Sequence, residues 1–376
     1  MRRVLYITGT RADFGLMEST LQLIGQAADL ELGVCVTGTH LDEKYGKTVD
    51  LIRSSGITIE GEIQVSASGE SGQEMVDVIS RQLSGLNKIL ADVKPDILLL
   101  LGDRGEMLAG AIAALHLNIP IVHIHGGERS GTVDEPIRHA ISKLAHYHFT
   151  ATEGAKARLI KMGERAESVF VTGAPGLNGL KDIVFVPQAE LYRKLSIADG
   201  QDVCLFLYHP VVQNQRDLLE DTRGIARALI ESGMHILWFA PNSDAGGAKI
   251  DSVLKEFEHE SCVSRIENMP REEFLSWLNV ARCMVGNSSS GIIEAASFGL
   301  NVLNIGLRQH LRERSENVID VAEIDDSLPE LVQKLKMRPR FDGENVYFRA
   351  GSAAAIVSLL GSVSLSNEVL NKVNAY

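Results

Sequence analysis

The chain reads as an α/β protein made of two Rossmann-like domains whose parallel sheets face a cleft. Three observations predict this. Short apolar, β-branched runs alternate with helical patterns from one end of the chain to the other, as strand–helix–strand units do. Several runs are continuously apolar, Ile97-Leu98-Leu99-Leu100-Leu101 most clearly, as strands must be when helices cover both faces of a sheet. And 376 residues exceed one ordinary domain core but fit two.

Taken in order, the first series of strands is expected at residues 3–9, 31–37, 57–63, 96–101, 119–125, 147–152 and 168–172. The second series is expected at 203–208, 235–240, 263–267, 283–286, 301–305 and 318–321. Between them, the stretch around 174–200 is the weakest and most mixed in pattern. It divides the chain into one domain over 1–175 and another over 185–345, with a helical segment over 346–376 placed to pack back on the first.

Composition narrows the function. Hydrophobic content of 45%, charged content of 23% and 34 glycines describe a soluble globular chain. A formal net charge of −12 argues against a nucleic-acid binder. Cys35, Cys204, Cys262 and Cys283 form no Cys-x-x-Cys pair and read as reduced packing residues of a cytoplasmic protein. The first strand follows directly on Arg2-Arg3, so no signal peptide is expected. The most apolar window, 109–124, is broken by His116, Asn118, Pro120 and His123 and does not read as a membrane span.

The first βα turn, Thr8-Gly9-Thr10-Arg11-Ala12-Asp13, lacks the close-approach glycines of a dinucleotide fold, and no phosphate-loop lysine pattern occurs. In open α/β sheets a ligand sits beyond the carboxyl ends of the strands, which with two facing sheets means the cleft between them. Functional residues are therefore sought just after strands.

The most informative segment is Cys283-Met284-Val285-Gly286-Asn287-Ser288-Ser289-Ser290-Gly291-Ile292-Ile293-Glu294. It reads as a buried strand, a turn of small residues, and a helix opening at Ile292. Unpaired N–H groups and the positive end of the helix dipole suit a diphosphate, and three hydroxyls add donors without bulk. Glu294, about one turn into that helix, can reach a ribose diol. A serine-capped helix start without a ligand shares the pattern.

Strand 96–101 ends in Gly102-Asp103-Arg104-Gly105-Glu106, either a helix-capping ion pair with Asp103 as N-cap or a carboxylate for proton transfer tuned by an arginine. The next strand ends His123-Ile124-His125-Gly126-Gly127-Glu128, with residues 123 and 125 projecting on one face. His139, His146 and His148 lie nearby, but no carboxylate ligands at fixed spacing accompany them, so no metal is expected. One of the pair is read as packed and the other as a cleft-facing acid/base group. Asp134 opens the helix carrying Arg138 and His139, as a cap or as a third member of a site with Asp103 and His125. In the second half, His209-Pro210 ends one strand and Pro241-Asn242-Ser243-Asp244 another. Gly306-Leu307-Arg308-Gln309, with Arg312 and Arg314 behind it, reads as a diphosphate clamp or a solvated basic face.

These segments, from residue 3 to 320 and in order, resemble the hydrolysing UDP-N-acetylglucosamine 2-epimerases of sialic-acid-type biosynthesis. The matching motifs include Thr10-Arg11-Ala12-Asp13-Phe14-Gly15, Gly102-Asp103-Arg104, Ser130-Gly131-Thr132-Val133-Asp134, the run Ile137 to His146, His209-Pro210, Pro241-Asn242-x-Asp244, Gly286-Asn287-Ser288-Ser289 and Arg308-Gln309. The resemblance implies the architecture of GT-B glycosyltransferases, with UDP on the second domain and the sugar in the cleft. It implies catalytic roles for Asp103 and Asp134, and the reading of the strand end adds His125 as a third acid/base group. It also implies nucleotide-sugar contacts from Arg11, Arg104, His209, Asn242, Ser288, Ser289, Glu294 and Arg308, to which the reading of the turn as a phosphate cradle adds Ser290 and Gly291. Many relatives carry Glu where this chain has His125, and others share the His, so the carboxylate of those many relatives is replaced here.

The implied reaction is C2 deprotonation with loss of UDP to a 2-acetamidoglucal, then hydration to a free 2-epimeric sugar, with no cofactor. UDP-N-acetylglucosamine giving N-acetylmannosamine is the first expectation. UDP-N,N'-diacetylbacillosamine, feeding legionaminic acid, is the second. A GT-B glycosyltransferase and a non-catalytic nucleotide-sugar sensor are the other classes. A cytoplasmic homodimer or homotetramer is implied, with no nucleic-acid or membrane partner.

Overall fold

Every expected strand forms, within two residues of its expected bounds. The structure, a computed structural model, describes residues 1–43, 46–65, 71–131, 134–180, 183–211, 218–241 and 246–375. The first sheet contains β1 (Arg2–Thr8), β2 (Leu30–Thr37), β3 (Thr58–Ile63), β4 (Ile97–Leu101), β5 (Ile121–Ile124), β6 (Tyr147–Thr150) and β7 (Val169–Val171). The second contains β8 (Val203–Leu207), β9 (His235–Phe239), β10 (Val263–Ile266), β11 (Cys283–Gly286), β12 (Asn301–Ile305) and β13 (Val318–Val321).

The spatial orders are β3-β2-β1-β4-β5-β6-β7 and β10-β9-β8-β11-β12-β13. All pairings are parallel. Both sheets thus reverse direction of growth beside their first strand, at β1/β4 and at β8/β11, where a doubly wound sheet opens its crevice. Burial explains the strand compositions: all five residues of β4 are buried, because helices cover both faces of the sheet. Each sheet is sandwiched between two apolar clusters, one per face. A smaller cluster of Ala151, Ala174, Leu177, Ile292, Ile293 and Tyr347 joins loops of the two halves.

The first βα turn is shaped by a buried carboxylate. Asp13 accepts from the amides of Gly9 (3.1 Å) and Thr10 (2.7 Å) and from the Thr10 hydroxyl (2.9 Å), while Thr10 caps the helix Arg11–Gln26. This is a capping box without dinucleotide glycines, and it makes Arg11 the first residue of that helix, at the end of β1.

The C-terminal segment docks on the first half. Ile356, Leu360 and Val363 of the helix Ser352–Ser362 and its end share a core with Leu21 and Ile24. Arg2 donates to the carbonyls of Leu360 and Val363 (2.8 Å each), and Lys372 to those of Ser142, Lys143 and Ala145 (3.1, 2.9 and 2.6 Å). Lys372 also pairs with Glu164 (2.7 Å), which further holds His148 (2.9 Å) and Lys143 (2.7 Å). Burial alone would raise the Glu164 carboxyl, but hydrogen bonds from His148, Lys143 and Lys372 outweigh it and hold it down at about 2. Burial pushes His148 and Lys372 down in turn, so part of that gain is offset.

Since Glu164 is depressed in the folded chain, its contribution is present above the ordinary carboxylate value of 4.5 and fades as pH falls toward 2. Removing its partner by Lys372→Met should cost about 2–4 kcal/mol at pH 7 by urea denaturation. The gap from wild type should narrow at pH 3; an equal gap at both pH values would remove Glu164 as its cause.

Candidate active site

On the first sheet, the carboxyl ends of β1, β4 and β5 lie side by side and carry Arg11, Asp103 and His125. Arg11 is half-buried, burial pushes its guanidinium pKa down, and its side chain makes no hydrogen bond or ion pair with a described residue. Below it, His40 bonds Thr8 (2.9 Å) and Thr48 (2.8 Å), and burial pushes its imidazole down to about 4.

After β4, the N-cap of the next helix is Arg104, not Asp103. Arg104 pairs through Nε with the buried Glu106 (2.9 Å). Asp103 instead pairs with Arg138 of the helix Asp134–Leu144. Arg138 is 1% exposed and also donates to the Glu128 carbonyl and the Ser130 hydroxyl (3.2 Å each). One buried cation therefore ties the β4 loop to the loop after β5 and to the helix that Asp134 begins. Burial lowers Arg138 to about 10, so it remains charged at neutral pH.

The two histidines do not share the expected strand face, and His123 is the packed member of the pair. His123 lies within β5, fully buried, between the Ser142 hydroxyl (3.0 Å) and the Gly102 carbonyl (2.7 Å). The strand ends at Ile124, and His125 takes a left-handed φ of 63°, so strand alternation no longer governs where it points. Its Nδ1 meets the Glu128 carboxylate, and Glu128 also pairs with Arg312 of the second half. Burial, with the charge of Arg312, pushes the His125 imidazole down to about 3, leaving it neutral at pH 7. His139, His146 and His148 bond Glu135 (3.3 Å), the Ile121 amide (3.0 Å) and Glu164 respectively. Among the described residues no group of three His, Cys, Asp or Glu is gathered as a metal site.

On the second sheet, Asn287 exchanges two 2.8 Å hydrogen bonds with the backbone of His209, locking the end of β11 beside that of β8. The close approach needs glycine at 286: φ is +137°, and a Cβ there would lie 1.9 Å from the Leu207 carbonyl oxygen. The following helix begins earlier than expected, running Ser289–Ile293 behind Ser288 and passing into a tighter turn over Ala295–Phe298. Ser288 uses its hydroxyl to cap this helix, a local bond the apolar pattern did not reveal. Gly291 lies inside it against Met284 and Val302, and the buried Ser290 hydroxyl has no hydrogen-bond partner among the described residues. Glu294 stands at the helix end, 4% exposed, paired with Arg271.

The arginine cluster also divides. Arg308 donates to the Asn287 carbonyl (3.1 Å) and lies 3.8 Å from Asp134 across the cleft. Arg312 and Arg314 are instead engaged by Glu128 and Asp320, so the expected three-arginine clamp reduces to Arg308. The two halves meet where the Gly131 amide donates to the Arg308 carbonyl (3.1 Å), and where Glu313 meets Thr152 and Arg158. Asn242 and Asp244, with Thr132 and Val133, lie outside the described residues.

Sequence reasoning missed Glu128, Arg138 and Arg271 as parts of this constellation, and read Arg312 as part of a clamp and not as the partner of Glu128. Two signals were available: Arg138 sits one helical turn after Asp134, and Glu128 follows His125 by three residues across a Gly-Gly pair.

Comparison with known proteins places the chain. The sequence model of the UDP-N-acetylglucosamine 2-epimerase family matches residues 22–361. A UDP-N,N'-diacetylbacillosamine 2-epimerase (hydrolyzing) of Legionella pneumophila is 44% identical over 376 residues, covering 100% of both chains. A UDP-N-acetylglucosamine 2-epimerase of Neisseria meningitidis is 31% identical over 347 residues, 92% of this chain and 91% of the relative. The solved UDP-GlcNAc 2-epimerase of Neisseria meningitidis bound to UDP-GlcNAc superposes with a TM-score of 0.79 at 21% identity, covering 95% of this chain and 99% of that one, which establishes the shared GT-B-like fold. Matched over most of its length and aligned end to end with a hydrolysing relative, the chain belongs to the UDP-N-acetylglucosamine 2-epimerase family.

Proposed function

We propose that this protein is a hydrolysing 2-epimerase of a UDP-2-acetamido sugar, and that its substrate is UDP-N,N'-diacetylbacillosamine. One observation carries the substrate: the relative named for that reaction matches from end to end at 44% identity, against 31% for the relative named for UDP-N-acetylglucosamine. The ranking of the two substrates is thus the reverse of the first expectation from the motifs. The reaction class is supported by acid/base candidates at the ends of β4 and β5 beside cationic and hydroxyl groups from both sheets, Arg11 on the first and Ser290 and Arg308 on the second.

The chemistry follows from that division. A base removes the C2 proton, the electron pair forms the C1–C2 double bond, and the C1–oxygen bond breaks as UDP leaves with its electrons. Arg11, with no ion pair among the described residues, the Ser290 hydroxyl and Arg308 are the groups for the departing diphosphate. Water then adds its oxygen to C1 and a proton to C2 from the opposite face, releasing the 2-epimer as a free sugar. These steps are redox-neutral and need no redox cofactor. Asp103, His125 and Asp134 supply the proton transfers, with neutral His125 able to accept a proton where an imidazolium could not. Arg104, His209, Asn242, Ser288, Ser289, Gly291 and Glu294 complete the nucleotide-sugar site in this reading.

We infer further that the protein works in the cytoplasm, as a homodimer or homotetramer. No helix among the described residues is long and apolar enough to cross a membrane.

With purified protein and no acceptor, UDP release should show a kcat/KM for UDP-N,N'-diacetylbacillosamine at least about tenfold above that for UDP-N-acetylglucosamine, as polar discrimination in a closed site allows; the reverse preference would overturn the substrate assignment. Asp103→Asn and Asp134→Asn should each lower kcat by roughly 10²–10⁴-fold, and wild-type turnover in both would remove them from the chemistry. His125→Ala should reduce turnover far more than UDP affinity measured by calorimetry. Proton NMR of the reaction in D₂O should show deuterium at C2 of the free product; a product with its C2 hydrogen retained would exclude deprotonation.

A further inference from the structure

The His125–Glu128 contact is built by the backbone, and its outer partner comes from the other half of the molecule. His125 and Gly127 have φ of +63° and +74°, which curls the chain so that residues three apart meet. The curl is clamped on every side. The His125 amide donates to the Phe149 carbonyl (3.1 Å), Arg158 Nε donates to the Gly127 carbonyl (2.6 Å), and Arg138 holds the Glu128 carbonyl (3.2 Å). A Cβ on Gly126 would lie 2.9 Å from His123 Nδ1, and one on Gly127 2.4 Å from the Ala155 carbonyl oxygen.

Glu128, at 2% exposure, spends one carboxylate oxygen on His125 Nδ1 and the other on Arg312. Arg312 is itself aimed by the buried Gln309, whose side-chain oxygen accepts from its Nε at 2.6 Å. The next residue, Glu313, engages Thr152 and Arg158 of the first half, so the same turn after β12 docks twice.

We propose that Glu128 is a positioning residue for His125, and that Arg312 makes this positioning conditional on the two halves being closed together. The inference rests on the reading of the site as that of a 2-epimerase. A carboxylate at Nδ1 fixes the tautomer with the proton on Nδ1 and leaves the Nε2 lone pair for the substrate. Sharing that carboxylate with Arg312 keeps it from drawing the imidazole into its charged form. When the halves part, Arg312 leaves and this balance is lost. The competent form of the base is thereby tied to the closed cleft.

The full-length protein tests this with Glu128→Gln, which keeps an acceptor of the same size, Glu128→Met, which removes it, and Arg312→Lys and Arg312→Met. Nitrogen NMR of histidine-labelled protein, with the His125 signal assigned by its loss in His125→Ala, reads the tautomer without substrate. Wild type should show the Nδ1–H form, kept in Glu128→Gln and lost in Glu128→Met. In UDP release, Glu128→Met and Arg312→Met should lower kcat by about tenfold or more while UDP affinity stays within about threefold. Glu128→Gln and Arg312→Lys should each recover part of it. Adding Glu128→Met to His125→Ala should cost less than about threefold more, because residues acting as a unit are not additive. An unchanged tautomer in Glu128→Met, a fully multiplicative loss in the double variant, or unaltered kcat would each overturn the proposal. A wild-type protein that releases no UDP from either sugar would instead sink the underlying reading, and the tautomer would still decide the role of Glu128.

Discussion

The arrangement depends first on a buried cation. Arg138 has almost no solvent, and a guanidinium taken out of water costs several kcal/mol unless its donors are met. Asp103 pairs with Arg138, and the Glu128 carbonyl and Ser130 hydroxyl accept from it, from two different loops, while its Nε has no hydrogen-bond partner among the described residues. Satisfying one charge thus draws the ends of β4 and β5 onto the helix that Asp134 opens. Removing that cation would leave Asp103 without its ion-pair partner and the loop after β5 without its anchor. Two loops of the candidate site are thus held together by one desolvated group.

The fold was legible in the sequence because its causes are local and periodic. Continuous apolar runs such as 97–101 mark strands buried on both faces, and their alternation with helical patterns leaves parallel winding as the simple solution. The site was legible as a set of loops, since doubly wound sheets bring ligands to strand ends. What could not be read was which charge meets which. Glu128 and Arg312 are far apart in sequence, as are Arg271 and Glu294, and nothing periodic links such pairs. His125 also escaped a pattern-based reading, because a positive φ at a non-glycine residue breaks the alternation on which the pattern rests. The helix at Ser289 began early for a similar reason: a serine cap is a local hydrogen bond, invisible to hydrophobic spacing.

An acidic protein handles an anionic ligand by rationing its free cations. Around the cleft, Arg104, Arg138, Arg271, Arg312 and Arg314 are each engaged by carboxylates, which organise the walls. Arg11 stands apart, half-buried and without such a partner among the described residues. Arg11 lies at the end of β1, where a doubly wound sheet receives its ligand.

The docked C-terminal segment has a bearing on how the molecule is made. The core of the first half includes Ile356, Leu360 and Val363, and Glu164 is completed by Lys372. Synthesis proceeds from the other end, so the ribosome finishes the entire second half before these residues emerge. The first half is exposed through that interval with one flank of its core uncovered and a buried carboxylate short of a partner. Its maturation in the cell therefore waits on residues made after the whole second half, and is not completed by its own sequence alone.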